Sequence, residues 1–319
     1  MNAENFAEWL RRQGYSVIKT QSSYWYEASP RVFQAFPFHW LIQPCESEIL
    51  KFLHRNRAIA LRYSTPIENN LGFISYHAVY DRPSYTLDDL DRRTRQNIRK
   101  GLKSCKVEKI SIERYAREGW LLEKDTTERQ GRRLTISEEG WRHRFMAATD
   151  LPGFEAWGAL VEGRLAASLF IFKTDDCCEM ITQQCHRNYL NTRVNNALSF
   201  VVTKKMLNST GNRIVFYSLQ SLNAPESVDQ FKFRMRYRPK PVRQRVVFHS
   251  LLSPFFNKAT LFMTKLISDC WPNNSFLSKM SGMLSFYHKG KCSPAKQEWP
   301  NCLSKEKKEL LEQIEMRNG

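Results

Sequence analysis

From Ala156 to Leu219 the spacing of apolar positions changes period once, and that change organises the chain. Ala156–Glu162 and Arg164–Phe172 are apolar runs joined by Glu162-Gly163, an acidic-Gly pair of the kind that closes a two-residue hairpin. On the second run Leu165, Ala167, Leu169 and Ile171 fall on one face, and Ala166, Ser168, Phe170 and Phe172 on the other. Neither face carries a charge, so the run predicts a central strand covered on both sides. Thr174-Asp175-Asp176 predicts a second turn and Cys177–Arg187 a third strand. Val194, Ala197, Leu198, Val201 and Val202 then recur at helical spacing, with Asn191 or Thr192 as the cap and Gly211 just past the end. Arg213–Leu219 predicts a fourth strand. The order is meander, helix, strand.

A helix that starts directly after a strand offers unpaired backbone N–H groups and a positive dipole end to an anion. If the third and fourth strands part at that end, a slot opens for an elongated ligand arm. The pattern suits acyl-CoA, with its pyrophosphate on the helix start around Asn191, Thr192, Arg193, Asn195 and Asn196 and its pantetheine arm between the strands. A half-sheet with its covering helix produces the same pattern without any ligand.

The first hundred residues read as a smaller α/β unit. Asn5–Gln13 and Glu46–Arg55 predict helices; Tyr15–Lys19, Ala58–Tyr63 and Phe73–Val79 predict strands. The aromatic-rich segment Ser22–Phe38 is expected to fill core rather than stack on bases. Beyond the central region, Leu251–Ile267 predicts an amphipathic helix or a pair of helices, and Ser304–Met316 a terminal helix with Leu310, Leu311 and Ile314 on one side. Two roles fit 250–319: a helical cap, or a peripheral anchor on an acidic lipid surface.

Charge narrows the partner. The chain has 319 residues, 42% of them hydrophobic and 25% charged, which is ordinary for a globular protein, but its net charge is +17. That excess calls for an anionic partner. It is concentrated in two stripes. Arg92, Arg93, Arg95, Arg99, Lys100, Lys103 and Lys106 follow Thr86, Asp88 and Asp89, which predict a helix capped by Thr86; Arg92, Arg95 and Arg99 share one face, and Ile98 and Leu102 another. Lys232, Arg234, Arg236, Arg238, Lys240, Arg243 and Arg245 form the second stripe. Its first four cations alternate with Phe231, Phe233, Met235 and Tyr237, a period-two pattern that predicts a strand or extended ligand groove. Eight cysteines in this length do not make a disulfide framework and Met1–Arg12 is polar rather than secretory, so reduced thiols and a cytoplasmic location are expected; without CxxC pairs, no metal is expected. No run reaches the ~18 apolar residues of a spanning helix.

These residues carry a resemblance. Tyr85-Thr86-Leu87, the run Arg93–Lys100 and Val107-Glu108-Lys109-Ile110 resemble the basic-helix signature of the FemAB-like transferases, which contain two GNAT-like halves. Tyr115, Asp125–Arg129, the Trp157–Phe172 hairpin, the Asn191–Leu207 helix and Phe231-Lys232 follow in the family's order, over roughly Ser84–Val246. The resemblance implies an α/β (α+β) fold of two GNAT-like mixed sheets flanked by helices, with halves at 1–110 and 111–249 and a helical extension at 250–319. It implies an acyltransferase acting on an amine, with acyl-CoA or aminoacyl-tRNA as donor, and it maps the lysine that steadies charge at the reacting carbonyl onto Lys232. The chain departs from the family pattern just afterwards: Arg234-Met235-Arg236-Tyr237 stands where the family has Phe-Gly, and Tyr217-Ser218-Leu219-Gln220 replaces an acidic or Gly-bearing strand end.

The expected site is therefore Lys232 at the oxyanion, with Tyr217 or Tyr189 returning a proton to the leaving thiolate. Arg95, Arg99, Phe231 and Arg234 would hold a small, anionic, phosphorylated acceptor. His186 is expected to be a hydrogen-bonded structural residue rather than a base. No carboxylate pair or covalent nucleophile stands out, so direct attack of the amine is expected. A non-catalytic nucleic-acid-binding module, gripping phosphates with both stripes, is the competing reading. Absence of a long helical insertion ranks tRNA behind acyl-CoA, and the inner face of the membrane stays open as a location.

Overall fold

The computed structural model describes residues 3–209, 211, 213–220, 226–271 and 274–318. In chain order the elements are α1 (Ala3–Arg12), β1 (Val17–Lys19), β2 (Tyr24–Ser29), β3 (Val32–Phe36), α2 (Glu46–Arg55), β4 (Ala60–Thr65) and β5 (Phe73–Tyr80). Then come α3 (Arg92–Ser104), β6 (Lys106–Ile110), α4 (Ile112–Arg129), α5 (Glu138–Met146), β7 (Phe154–Val161), β8 (Arg164–Thr174) and β9 (Cys177–Cys185). The remainder is α6 (Val194–Leu207), β10 (Ile214–Leu219), α7 (Glu226–Arg234), β11 (Arg238–Phe248), α8 (Lys258–Cys270), α9 (Ser275–Lys289) and α10 (Lys307–Asn318). The expected class, mixed sheets flanked by helices with helices after residue 250, is what the chain adopts.

The chain divides into two compact units, neither continuous in sequence: residues 1–13, 78–218 and 225–238 form one, and 14–77, 219–224 and 239–319 the other. In the first, β6, β7, β8 and β9 form an antiparallel meander and β10 joins β9 in parallel. Glu162 and Gly163 both have positive φ, +49° and +78°, the geometry that a type I′ hairpin turn requires. Ala166–Phe172 is buried without a break, as its two uncharged faces predict. Over this sheet lie the aromatic side chains of α1, α4 and α5. Trp9 meets Phe154 at 5.1 Å and Trp141 meets Phe145 at 4.4 Å between ring centroids, while Tyr115 stacks on Phe170 at 5.4 Å.

The second unit holds β1, β2 and β3 as an antiparallel ribbon, β3 parallel to β4, and β11 antiparallel to β4. The aromatic segment fills core as expected: Trp25, Phe33, Phe52, Leu53, Leu61 and Tyr63 form one buried cluster. A second cluster joins Phe73, Val246 and Phe248 to Leu284 and Phe286 of α9. Leu310 and Ile314 of α10 are buried, and Leu311 is half-buried.

Three local expectations fail for identifiable reasons. Thr86 does not cap α3; its N–H and hydroxyl both bond Asp89 Oδ2 in a local turn, at 2.7 and 2.9 Å. Asp91 caps instead, accepting from Thr94 N at 2.9 Å, so the basic helix begins without Asp88 and Asp89 in its first turn. Leu102 is exposed while Ile98 is buried, so the two do not share an inward face. Phe231–Arg234 is helical, not extended: α7 ends at Arg234 and the strand begins only at Arg238. Period-two alternation over four pairs happens to be satisfied by a helical turn that buries Lys232 and Met235 and exposes Arg234 and Arg236.

Candidate active site at the parting of two strands

The site grows out of the pairing between β9 and β10. Ile214, Val215 and Phe216 pair with Cys177, Cys178 and Glu179, and the register ends there although both strands continue. On its other edge β9 shifts register against β8, with Phe170 opposite Thr182 and Ile171 opposite Met180, so Ile181 is the extra residue of a bulge. A bulge bends its strand, and this one lies where β10 is left behind. The strands part here, which is the condition under which a slot for an elongated ligand arm opens.

Gln183 spans the gap. Its Oε1 accepts from the Tyr217 hydroxyl at 2.7 Å and its Nε2 donates to Asn195 Oδ1 at 2.8 Å, tying both strands to the first turn of α6. Burial raises the Tyr217 hydroxyl above its ordinary value, so the phenol keeps its proton. Tyr217 packs against Tyr237 at 5.0 Å and Phe231 at 6.5 Å between centroids. The Lys232 ammonium stands 5.7 Å over the Tyr217 ring, buried, and paired with Asp229 at 2.7 Å. Asn196 approaches Met235 Sδ at 3.8 Å, and Met235 O accepts from the Tyr85 hydroxyl at 2.8 Å. Lys232, Tyr217, Phe231, Asn195 and Asn196 are thus brought to one place.

The start of α6 differs in detail from the expected cap. Arg193 occupies that position with φ +64° and no side-chain capping bond, while the Thr192 hydroxyl donates to Tyr189 O at 2.6 Å. No side chain caps the helix; the Asn196 N–H turns back to Arg193 O at 3.0 Å, which leaves those of Val194 and Asn195 as the leading donors of the first turn. Asn191 and Arg193 are exposed. The backbone here is fixed from the other side by α3: a Cβ on Gly101 would sit 2.4 Å from Arg193 O and 2.8 Å from Ala197 Cβ. Only glycine allows the basic helix to pack this closely.

Other expected residues lie elsewhere. Arg95 and Arg99 are on the side of α3 away from its buried Thr94, Ile98 and Gly101; Arg95 is 3.4 Å from Asp88 and Arg99 is exposed. Arg234 is exposed and donates to Gln230 at 3.3 Å. The second stripe is dispersed among partners: Arg236 donates to Asp89 O at 2.8 Å, Arg238 pairs with Asp81, and buried Arg243 donates to Ile67 O and Gly72 O at 2.7 and 3.1 Å. It is not one cationic face.

Tyr189 sits beside His186, at 6.1 Å between rings, in a cleft of about 760 Å³ between α4, the β7–β8 turn and the residues following β9. Arg114, Leu121, Asp125, Arg164, His186 and Tyr189 line it. His186 is held as expected: Nδ1 accepts from Asn188 N at 3.2 Å and Nε2 faces Asp125 Oδ1 at 3.9 Å. Burial favours the neutral Asp125 carboxyl, but side-chain and backbone hydrogen bonds from Arg187 outweigh it and hold the acid below its ordinary value. Cys185 is buried and its thiol is pushed up to about 12 by that burial, which leaves no thiolate for nucleophilic work.

Sequence reasoning missed Gln183, Asp229 and Met235. The only signal for Gln183 is the polar triplet Thr182-Gln183-Gln184 ending a strand that starts Cys-Cys-Glu-Met-Ile.

No protein-family profile matches the chain, and no curated relative does. Among solved structures, FemX superposes with a TM-score of 0.55 at 10% identity, over 79% of this chain and 92% of that one. The fold is FemX-like. L-PGS from Bacillus licheniformis superposes at 0.47 and 10% identity, over 84% and 97% of the two chains. A tandem GNAT protein from the clavulanic acid biosynthesis pathway does so at 0.45 and 11%, over 73% and 82%. The FemX-like fold agrees with the resemblance carried by Tyr85–Lys100 and Phe231-Lys232.

Proposed function

We propose that this protein is an N-acyltransferase that moves an acyl group from acyl-CoA to an amine on a small, phosphorylated acceptor by direct attack. The observation that carries the reading is the parting of β9 and β10 beside an uncapped α6 start, with Lys232 and Tyr217 at the gap. A FemX-like fold supports it.

The chemistry asks for little. An amine attacks the thioester carbonyl, the N–C bond forms, and the C–S bond breaks through a tetrahedral oxyanion. The Lys232 ammonium is buried and already ordered by Asp229, so it stabilises the oxyanion without reorganising. Tyr217, held protonated, gives a proton to the departing thiolate, and the proton that the amine loses passes to solvent, from which the phenol is restored. The N–H groups of α6, with Asn191, Thr192, Arg193, Asn195 and Asn196 around them, take the pyrophosphate. Arg95 and Arg99 on α3, with Arg234, are assigned to the anionic acceptor, and Phe231 to its positioning. Tyr189 lines the cleft past β9 and is the alternative acid.

Thermal shift tests this. Coenzyme A is expected to raise the melting temperature, and the rise is expected to vanish when Asn195 and Asn196 are both changed to Asp, because two new charges oppose the phosphates. A rise with tRNA but not with coenzyme A would assign an aminoacyl-tRNA donor. A rise with any RNA, without acyl transfer, would assign the non-catalytic binder.

A further inference from the structure

Helix α8 is apolar on both sides: Leu261 packs against the cluster of Phe73, Val246 and Phe248 and Ile267 is half-buried, yet large apolar side chains also face outward. Its Thr264 is 4% exposed and Thr260 half-buried, whereas Phe262 is 62%, Met263 54% and Leu266 45% exposed. A surface helix ordinarily presents its apolar stripe to the core and its polar stripe to water; here the outward stripe is apolar as well. Local bonds satisfy its inward hydroxyls and its cap: the Thr264 hydroxyl donates to Thr260 O at 2.7 Å, the Thr260 hydroxyl to Phe255 O at 2.5 Å, and Asn257 caps the helix by accepting from Thr260 N at 3.1 Å.

Exposed apolar side chains are concentrated here. Six of the thirteen large apolar side chains exposed among the described residues fall within Leu251–Trp271: Leu251, Phe255, Phe262, Met263, Leu266 and Trp271. Phe262, Met263 and Leu266 are neighbours at helical spacing, and a clustered apolar surface marks an interaction site. Lys258 and Lys265, both exposed, lie two turns apart along one rim of the Phe262–Leu266 stripe. From Leu251 to Gln297 the sequence has six lysines and one acid, Asp269. Among the described side chains of α8, the exposed ones other than Lys258 and Lys265 are Ala259, Phe262, Met263, Leu266 and Cys270. Those five offer almost no hydrogen-bonding group, where a protein interface carries about one hydrogen bond per 100–200 Å². The 13-residue helix is about 20 Å long and belongs in a surface plane, not across a bilayer.

We propose that α8 docks on an anionic lipid surface, with Phe262, Met263 and Leu266 in the acyl boundary, Lys258 and Lys265 on the headgroups, and Trp271 at the interface. The inference rests on α8 and its neighbours and is independent of the acyl-transfer reading.

Co-sedimentation of the full chain with vesicles tests it. One set is phosphatidylcholine, and the other carries about one third phosphatidylglycerol. The chain is expected to bind the anionic vesicles and to be released as salt rises. Phe262→Ser with Met263→Ser and Leu266→Ser is expected to weaken binding at least about tenfold, since each removes exposed side-chain area available for burial. Lys258→Glu with Lys265→Glu is expected to abolish the preference for anionic vesicles. All five positions are exposed, and an unchanged melting temperature confirms that the variants fold. Failure of the intact chain to bind anionic vesicles overturns the proposal, as does equal binding by the triple-serine variant. So does a dimer in analytical ultracentrifugation that the triple-serine variant dissolves, because the face would then belong to a second copy.

Discussion

The Tyr217 hydroxyl donates to Gln183 Oε1 at 2.7 Å, across the gap where β10 leaves β9. That bond joins two strands whose ladder has stopped, and through Asn195 it reaches the helix start as well. One amide side chain therefore sets the width of the slot in which acyl transfer is proposed to occur.

Removing it should be felt in stability. Gln183→Ala leaves the Tyr217 phenol and Asn195 Oδ1 without their partner, and a buried group left unpaired costs about 1–3 kcal/mol. Tyr217→Phe removes the donor itself and is expected to cost about 1 kcal/mol. Because the two share one bond, the double variant should lose less than the sum, by at least about 0.5 kcal/mol. Urea denaturation of the four proteins measures this, and strict additivity would show that the bond contributes nothing.

Lys232 separates binding from chemistry. If it steadies the oxyanion, Lys232→Gln lowers kcat by about 10²–10³, the usual cost of one preorganised donor, and leaves coenzyme A binding nearly unchanged. Asp229→Asn retains the cation and should lose far less. Steady-state kinetics with a coenzyme A binding isotherm distinguish the two, and equal loss of binding and rate would assign Lys232 to ligand binding alone.

Gly101 sets propensity against sterics. Mid-helix Gly→Ala ordinarily gains up to about 1 kcal/mol. Here the new methyl group meets backbone Arg193 O at 2.4 Å and Ala197 Cβ at 2.8 Å, and neither is the end of a flexible chain. Overpacking of this kind costs about 1–3 kcal/mol, so Gly101→Ala should be destabilising on balance. Thermal denaturation checks the sign; a stabilised variant would mean that α3 slides off α6 at little cost.

Much of the fold was legible because local and tertiary preferences agree. Glu46–Arg55 is a helix with the bounds its Ile49, Leu50 and Leu53 spacing predicts, and Glu162-Gly163 turns where an acidic-Gly pair should. Legibility fails where one pattern serves two structures. Phe231–Arg238 alternates like a strand, yet its first half is helical, and Lys232 is buried by that helix against Tyr217. Thr86 looks like a cap, but Asp89 is close enough to claim it first. Gln183 could not be singled out, since its meaning lies in Tyr217 and Asn195, which reach it only after β9 and β10 separate.

His77 gives the protein a pH dependence outside the proposed site. It is buried in β5, its Nε2 2.9 Å from Ser64 Oγ. Burial, helped by the nearby charges of His39 and Lys240, depresses its pKa from 6.5 to about 3. A histidine depressed in the folded state is neutral there but takes up a proton when unfolded, so the unfolded chain binds more protons between those values. Its contribution is fully present above pH 6.5 and is lost as pH falls toward 3, at up to about 1.4 kcal/mol per pH unit. His77→Gln removes the titration, so its unfolding free energy should fall less steeply between pH 6 and 4 than that of the wild type. Urea melts across that range decide it: parallel slopes would mean that His77 is not held neutral.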